Sequence, residues 1–257
     1  MRRFLHYCYN IWALLWFVLL MFIVLPLVLL SALGGKVKGG NLIYKLCHAW
    51  AATWYFLIGI KHREVYEAPL DRQRQYLFIA NHISYMDIPC IVRSIHQPVR
   101  VLGKYEMVRY PVFGIIYRMA AILVDRRDAA HRAQSVRTLK AAIHKGISVF
   151  IFPEGTFNET PDPLKSFYDG AFRIAIETQT PLQPVLFVDT LDRMHYKGVL
   201  TLTPGLCRTV FLDAIAVKGY TMAQLPELKQ KAYAIMEAGL RRYRTYTTVA
   251  AKETSVS

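Results

Sequence analysis

The chain is poor in the residues that would bring cofactor, metal or covalent chemistry. Its four cysteines, Cys8, Cys47, Cys90 and Cys207, are scattered, two of them in an apolar N-terminal region, so they read as small hydrophobes and exclude a disulfide framework. No pair among the eight histidines shows zinc-ligand spacing, and no structural metal is expected. No G-x-S-x-G elbow surrounds Ser84, which argues against a serine hydrolase and a covalent acyl-enzyme. A cleavable signal is absent too: the first apolar run is too long for an h-region and lacks a small-x-small site after it. There is no internal repeat.

Acidic residues are also scarce, 18 against 32 Lys and Arg, for a net charge of +14 over 257 residues. Nucleic acid is not the expected partner, since the basic residues form no run interleaved with aromatics and no recognition motif is present. Anionic lipid headgroups and anionic small-molecule partners are the better match.

Formal charge is missing altogether from Phe4 to Gly35, a stretch that stays largely apolar to Leu33 and includes Pro26. A bilayer takes roughly 20 apolar residues to cross, and proline is tolerated there. Gly34–Gly40 then reads as a flexible basic linker. A second apolar stretch, Leu46 to Ile60 with Trp50, Trp54, Tyr55 and Phe56, is short and suits a re-entrant or interfacial helix. Lys and Arg flank the first segment on both sides, so its orientation stays open.

Beyond the anchor, apolar strand-like runs alternate with helical patterns: Tyr76–Ala80, Val99–Gly103, a helix from Tyr105, Ala120–Val124, a helix over Ala129–Lys145, then Ser148–Phe152. This alternation predicts an α/β fold with a mostly parallel or mixed sheet flanked by helices. Val185–Val188, Val199–Leu202 and Val210–Leu212 are later strand candidates, and Thr221–Arg244 reads as a closing helix. The expected organisation is an anchor over residues 1–60, a catalytic domain over 61–246 and a disordered tail over 247–257.

Two motifs stand at strand ends. The first is Asn81-His82-Ile83-Ser84-Tyr85-Met86-Asp87 and the second is Phe152-Pro153-Glu154-Gly155-Thr156. On an ideal helix His82 and Asp87 would point about 140° apart, so their pairing requires His82 to precede the first helical turn. There a neutral imidazole accepts a proton near pH 7 while the carboxylate fixes its tautomer. The same residues also read as a capping box, Ser84 with Asp87, and the two readings are compatible.

Taken in order, these motifs, with Gly103-Lys104, Ala121-Ile122-Leu123-Val124-Asp125-Arg126, Lys165 to Phe172 and Pro181 to Val185, resemble the glycerolipid acyltransferase family over about residues 60–215. The likeness is greatest to bacterial 1-acylglycerol-3-phosphate acyltransferases. It implies that His82 is a general base for the acceptor hydroxyl, that Asp87 orients it, and that Glu154, Gly155, Thr156 and the Asp-Arg block help bind the acceptor. A lysolipid phosphate needs cationic donors, for which Lys104, Arg126 and Lys165 are the candidates. Many members carry a basic residue directly after Glu-Gly-Thr. Phe157 stands there in this chain, which keeps open a lyso-aminolipid, another lysophospholipid, or a non-catalytic lipid-binding protein.

The resemblance further implies a thioester donor, acyl-CoA or acyl-carrier protein, as co-substrate with no cofactor. It also implies membrane lipids as partners and an inner-membrane location with the site facing the cytoplasm.

Overall fold

The computed structural model describes residues 1–125 and 128–244. Arg126 and the tail at 247–257 lie outside the described residues.

Helix α1, Arg2–Ala32, is continuous through Pro26. At 31 residues it is about 46 Å long, more than the roughly 30 Å of a bilayer's hydrocarbon core. Its mean hydropathy reaches 3.0 over an 18-residue window. Helix α2, Gly40–Leu57, runs back antiparallel to it: Tyr9 Oη donates to Ile58 O, Trp54 Nε1 donates to Ala13 O, and Phe17 packs edge-on against Trp50 and Trp54.

The expected flexible linker between them is instead a π-helical corner, Gly35–Gly39. A Cβ on Gly39 would lie 2.2 Å from Ser31 O, so only glycine allows the two helices this approach. The buried Arg100 guanidinium holds the corner from below, donating to Lys36 O, Val37 O and Asn41 Oδ1.

Among the described residues seven strands form one sheet: β1 Ile60–Tyr66, β2 Leu77–Ala80, β3 Val99–Lys104, β4 Ala121–Val124, β5 Ser148–Ile151, β6 Leu182–Phe187 and β7 Gly205–Phe211. Their order is β1-β7-β6-β2-β5-β3-β4, and every pairing is parallel except β6 with β7. The α/β fold with a parallel-to-mixed sheet is as the alternation predicts.

Alternation along each central strand feeds two cores. Leu77, Ile79, Val149 and Ile151 face α5 (Ala129–His144), α6 (Gly170–Thr178) and α8 (Leu225–Tyr243). Phe78, Phe150 and Phe187 stack across the opposite face, beneath Trp54 and Tyr55 of α2 and Ile91 of α3, Asp87–Ser94. The N-terminal helices therefore also cover one face of the catalytic sheet.

Two local expectations change, and one strand carries no signal in the sequence. The Val199–Leu202 strand is a 3₁₀ turn, Val199–Thr201, because Asn10 of α1 takes both backbone groups of Leu202: Oδ1 accepts from its N–H at 2.8 Å and Nδ2 donates to its C=O at 3.2 Å. The helix from Tyr105 is split into a 3₁₀ turn, Tyr105–Arg109, and α4, Phe113–Ala120, with Pro111 between them. Strand β1 went unread because it carries Lys61, His62, Arg63 and Glu64, charges admitted at the sheet's edge.

Candidate active site

Strands β2, β5, β3 and β4 run parallel, so their carboxyl ends share one edge. His82 follows β2 in a non-helical turn, and α3 begins at Asp87. The imidazole precedes the helix, as pairing requires: His82 Nδ1 lies 2.8 Å from Asp87 Oδ2. The same oxygen accepts from the backbone N–H of Ile83 at 2.8 Å and of Ser84 at 2.9 Å. Asp87 thus accepts from the turn's amides and holds the histidine with one atom, and Ser84 Oγ accepts from the Met86 N–H, so the pairing geometry and part of the capping pattern occur together. The Asp87 carboxylate is fully buried, and Oδ1 has no hydrogen-bond partner among the described residues. His82 Nε2 makes no hydrogen bond within the described residues, and 17% of the side chain is exposed, which leaves that nitrogen for an incoming hydroxyl.

Glu154 holds the His82 turn from beneath. It is 1% exposed; Oε1 accepts from the His82 N–H at 2.7 Å and Oε2 from the Lys165 N–H at 2.8 Å. Burial pushes its carboxyl up to about 7, outweighing those two amides, which favour the charged form. Both oxygens are engaged, so Glu154 acts on the site by positioning two loops.

Gly155 adopts φ +76°, which turns the chain out of the strand end. Beyond it the amides of Thr156 and Phe157 meet no acceptor among the described residues. Lys165 Nζ donates to Thr156 Oγ1 at 2.7 Å and reaches Phe157 O at 3.5 Å. A cation therefore stands on the very loop where the expected basic residue is replaced by Phe157.

Aromatic rings clamp the imidazole. Phe152 stacks on His82 with centroids 3.9 Å apart, and Phe157 meets it edge-on at 4.4 Å. Tyr85 in turn meets Phe157 at 4.9 Å. Neither phenylalanine was singled out for this contact from sequence, although each sits in or beside a quoted motif. Asn81 was passed over as well: its amide exchanges hydrogen bonds with both backbone groups of Phe187, pinning the turn to β6.

Of the other candidates, Lys104 ends β3, two strands from β2, with its side chain 64% exposed and 3.7 Å from Glu106. At about 4.8 Å per strand it begins roughly 10 Å to the side of the histidine. The structure brings together His82, Asp87, Glu154, Gly155, Thr156 and Lys165, and sets Lys104 at the rim.

An imidazole held by a buried carboxylate at the strand ends of an α/β sheet, with a lysine on the facing loop, is chemically able to take a proton from a hydroxyl beside an anionic group. The acyltransferase family model matches residues 62–188, the stretch that carries every one of these groups. The chain belongs to that family and is an acyltransferase, as the motifs imply.

Relatives agree. The chain is 28% identical over 186 residues to the 1-acyl-sn-glycerol-3-phosphate acyltransferase of Salmonella typhimurium, covering 70% of this chain and 73% of that protein. It is 31% identical to the enzyme of that name from Escherichia coli over 166 residues, 63% and 65% of the two chains. It is 29% identical over 203 residues to the lyso-ornithine lipid O-acyltransferase of Pseudomonas aeruginosa, 73% and 76%. The crystal structure of the 1-acyl-sn-glycerophosphate acyltransferase from Thermotoga maritima superposes with a TM-score of 0.73 over 96% of this chain and all of that one, at 21% identity, so the fold is shared.

Proposed function

We propose that the protein is a membrane-bound O-acyltransferase that moves an acyl chain from a thioester to the free hydroxyl of 1-acylglycerol-3-phosphate, giving phosphatidic acid. The observation that carries this reading is the His82–Asp87 contact of 2.8 Å at a partly open edge, with Lys165 on the loop that Glu154 ties to the base.

His82 Nε2 takes the proton of the acceptor hydroxyl as its oxygen attacks the thioester carbonyl. Asp87 stabilises the resulting imidazolium. The C–O bond forms, the C–S bond breaks, and the proton passes from His82 to the departing thiolate, which leaves as a thiol. The amides of His82, Ile83 and Ser84 are already engaged, so oxyanion donation falls to the Gly155 loop, where the N–H groups of Thr156 and Phe157 meet no acceptor among the described residues. The acceptor phosphate sits against Lys165 and Thr156, with Lys104 further along the edge.

An apolar cavity lined by Val24, Trp50, Ile91, Val92, Phe113 and Ile116 lies between the N-terminal helices, α3 and α4, and its lining suits part of an acyl chain. Phe4, Leu5, Leu15, Phe22 and Leu30 leave α1 largely exposed and apolar, a surface that water disfavours and lipid accepts. A soluble carrier-bound donor, acyl-CoA or acyl-carrier protein, would be met on the cytoplasmic side of the inner membrane, which supports a site facing that side.

A second reading keeps the chemistry and changes the acceptor. It is favoured by Phe157 and by the likeness to the Pseudomonas lyso-ornithine enzyme. Thiol release by detergent-purified protein, measured with both donors across a panel of lysolipids, separates the two. Release that needs lysophosphatidic acid and vanishes in His82→Ala is expected. Release only with a lyso-aminolipid moves the assignment to that acceptor, and silence with every pair overturns it.

A further inference from the structure

Three residues far apart in the chain converge in the core face beneath α2. His62 of β1 and Cys207 of β7 stand opposite each other in the register of the two parallel strands, and Cys90 of α3 closes on them from above. One ring nitrogen of His62 and the two sulfurs all lie within 4.8 Å of one another. The sulfurs are 4.0 Å apart, and both cysteines are free thiols and fully buried. Two sulfurs each about 2.3 Å from a tetrahedral zinc stand roughly 3.8 Å apart, so the pair is already near coordination spacing.

The surroundings are under-satisfied. His62 has a side chain only 4% exposed, yet its Nδ1 has no hydrogen-bond partner among the described residues. Tyr55 Oη is buried and likewise without a partner in ordinary geometry, on a ring whose centre is 6.0 Å from that imidazole. Such orphans are uncommon in a packed core. Around the cluster, Thr209 Oγ1 lies 3.0 Å from Cys90 Sγ, Ser94 Oγ lies 3.1 Å from His62 Nε2, and Glu64 stands behind at 3.6 Å, in the outer position that orients a ligating histidine.

We propose that His62, Cys90 and Cys207 bind one thiophilic divalent cation, zinc in a structural role, with an adjacent hydroxyl oxygen from Thr209 or Tyr55 completing the shell. Thiolate and imidazole ligands select such an ion. Two thiolates cancel its charge, so the buried assembly is neutral, and binding releases the two thiol protons. The ion would tie edge strand β1 to β7 and to the first turn of α3, whose opening residue is Asp87. Sequence spacing carries no trace of the site because each ligand comes from a different element.

The test is elemental analysis of the full chain, expressed in zinc-supplemented medium and purified in detergent under reductant, with cobalt-grown protein examined for a thiolate-to-cobalt charge-transfer band. One ion per chain is expected, falling to background in Cys90→Ser and Cys207→Ser and unchanged in Cys8→Ser. His62→Gln, a change on the edge strand, serves if the core cysteine variants fail to fold; it should also lose the ion. Metal-free wild type, a Cys90–Cys207 disulfide in peptide mapping, or metal and band that persist in the variants would overturn the proposal.

Discussion

Asp87→Asn preserves the size of the side chain and removes its charge. The remaining oxygen still accepts from Ile83 and Ser84, because turning the new amide toward those two N–H donors would set donor against donor. Nδ1 of His82 keeps an acceptor, so its tautomer survives, and what is lost is the attraction between carboxylate and imidazolium. At about 4 Å and an effective dielectric near 20 that attraction approaches 4 kcal/mol; the gap between a charged and a neutral hydrogen bond sets a floor near 1.5 kcal/mol. The expected outcome is a kcat lowered by roughly 10- to 1000-fold with acceptor KM nearly unchanged. Thermal unfolding should stay close to wild type. Asp87→Ala, in contrast, strands two buried amides and should also cost about 2–3 kcal/mol of stability. Thiol release at saturating donor and acceptor measures the first effect. A folded Asp87→Asn enzyme within about threefold of wild-type kcat would refute the reasoning.

Lys165→Met should raise acceptor KM about tenfold, as loss of a charged hydrogen bond worth roughly 1.5 kcal/mol predicts, whereas Lys104→Met at the exposed rim should change it less than about twofold; equal effects in steady-state kinetics would contradict the placement of the phosphate. Phe157→Arg should lower kcat with lysophosphatidic acid, since it puts a cation where an aromatic edge now lies 4.4 Å from the base; a gain would show that a missing cation limits the acceptor. The carboxyl of Glu154 stands above its ordinary 4.5, at about 7, so its contribution to stability is fully present below pH 4.5 and is lost as pH rises through 7. At 1.36 kcal/mol per pH unit the difference is roughly 3 kcal/mol; unfolding measured at pH 5 and pH 8 should show this component in wild type and not in Glu154→Gln, and identical pH dependence in both would refute it.

Strand-end motifs were readable because their chemistry is local. A short apolar run followed by Asn-His-x-x-x-x-Asp puts base and carboxylate in one turn, and the apolar-periodic stretch that follows sets the helix that fixes their distance. The long uncharged run of α1 was readable for the same reason, since length and hydropathy need no partner. Val199–Leu202 was misread because its backbone groups go to Asn10, 192 residues away, and β1 was missed because an edge strand can carry charge that a central strand cannot.

The sequence by itself determined the α/β alternation, the long apolar helix α1 and the His82–Asp87 pairing, all set by hydrogen bonding and hydropathy within a few residues. Only the tertiary structure decided that Glu154 holds His82 and Lys165 by their amides and that Phe152 and Phe157 clamp the imidazole. It alone also decided that Gly34–Gly40 is a packed corner and that His62, Cys90 and Cys207 meet. Each of these depends on which strands lie side by side in the sheet, and strand order is set by burial across the whole chain, beyond the reach of any local pattern.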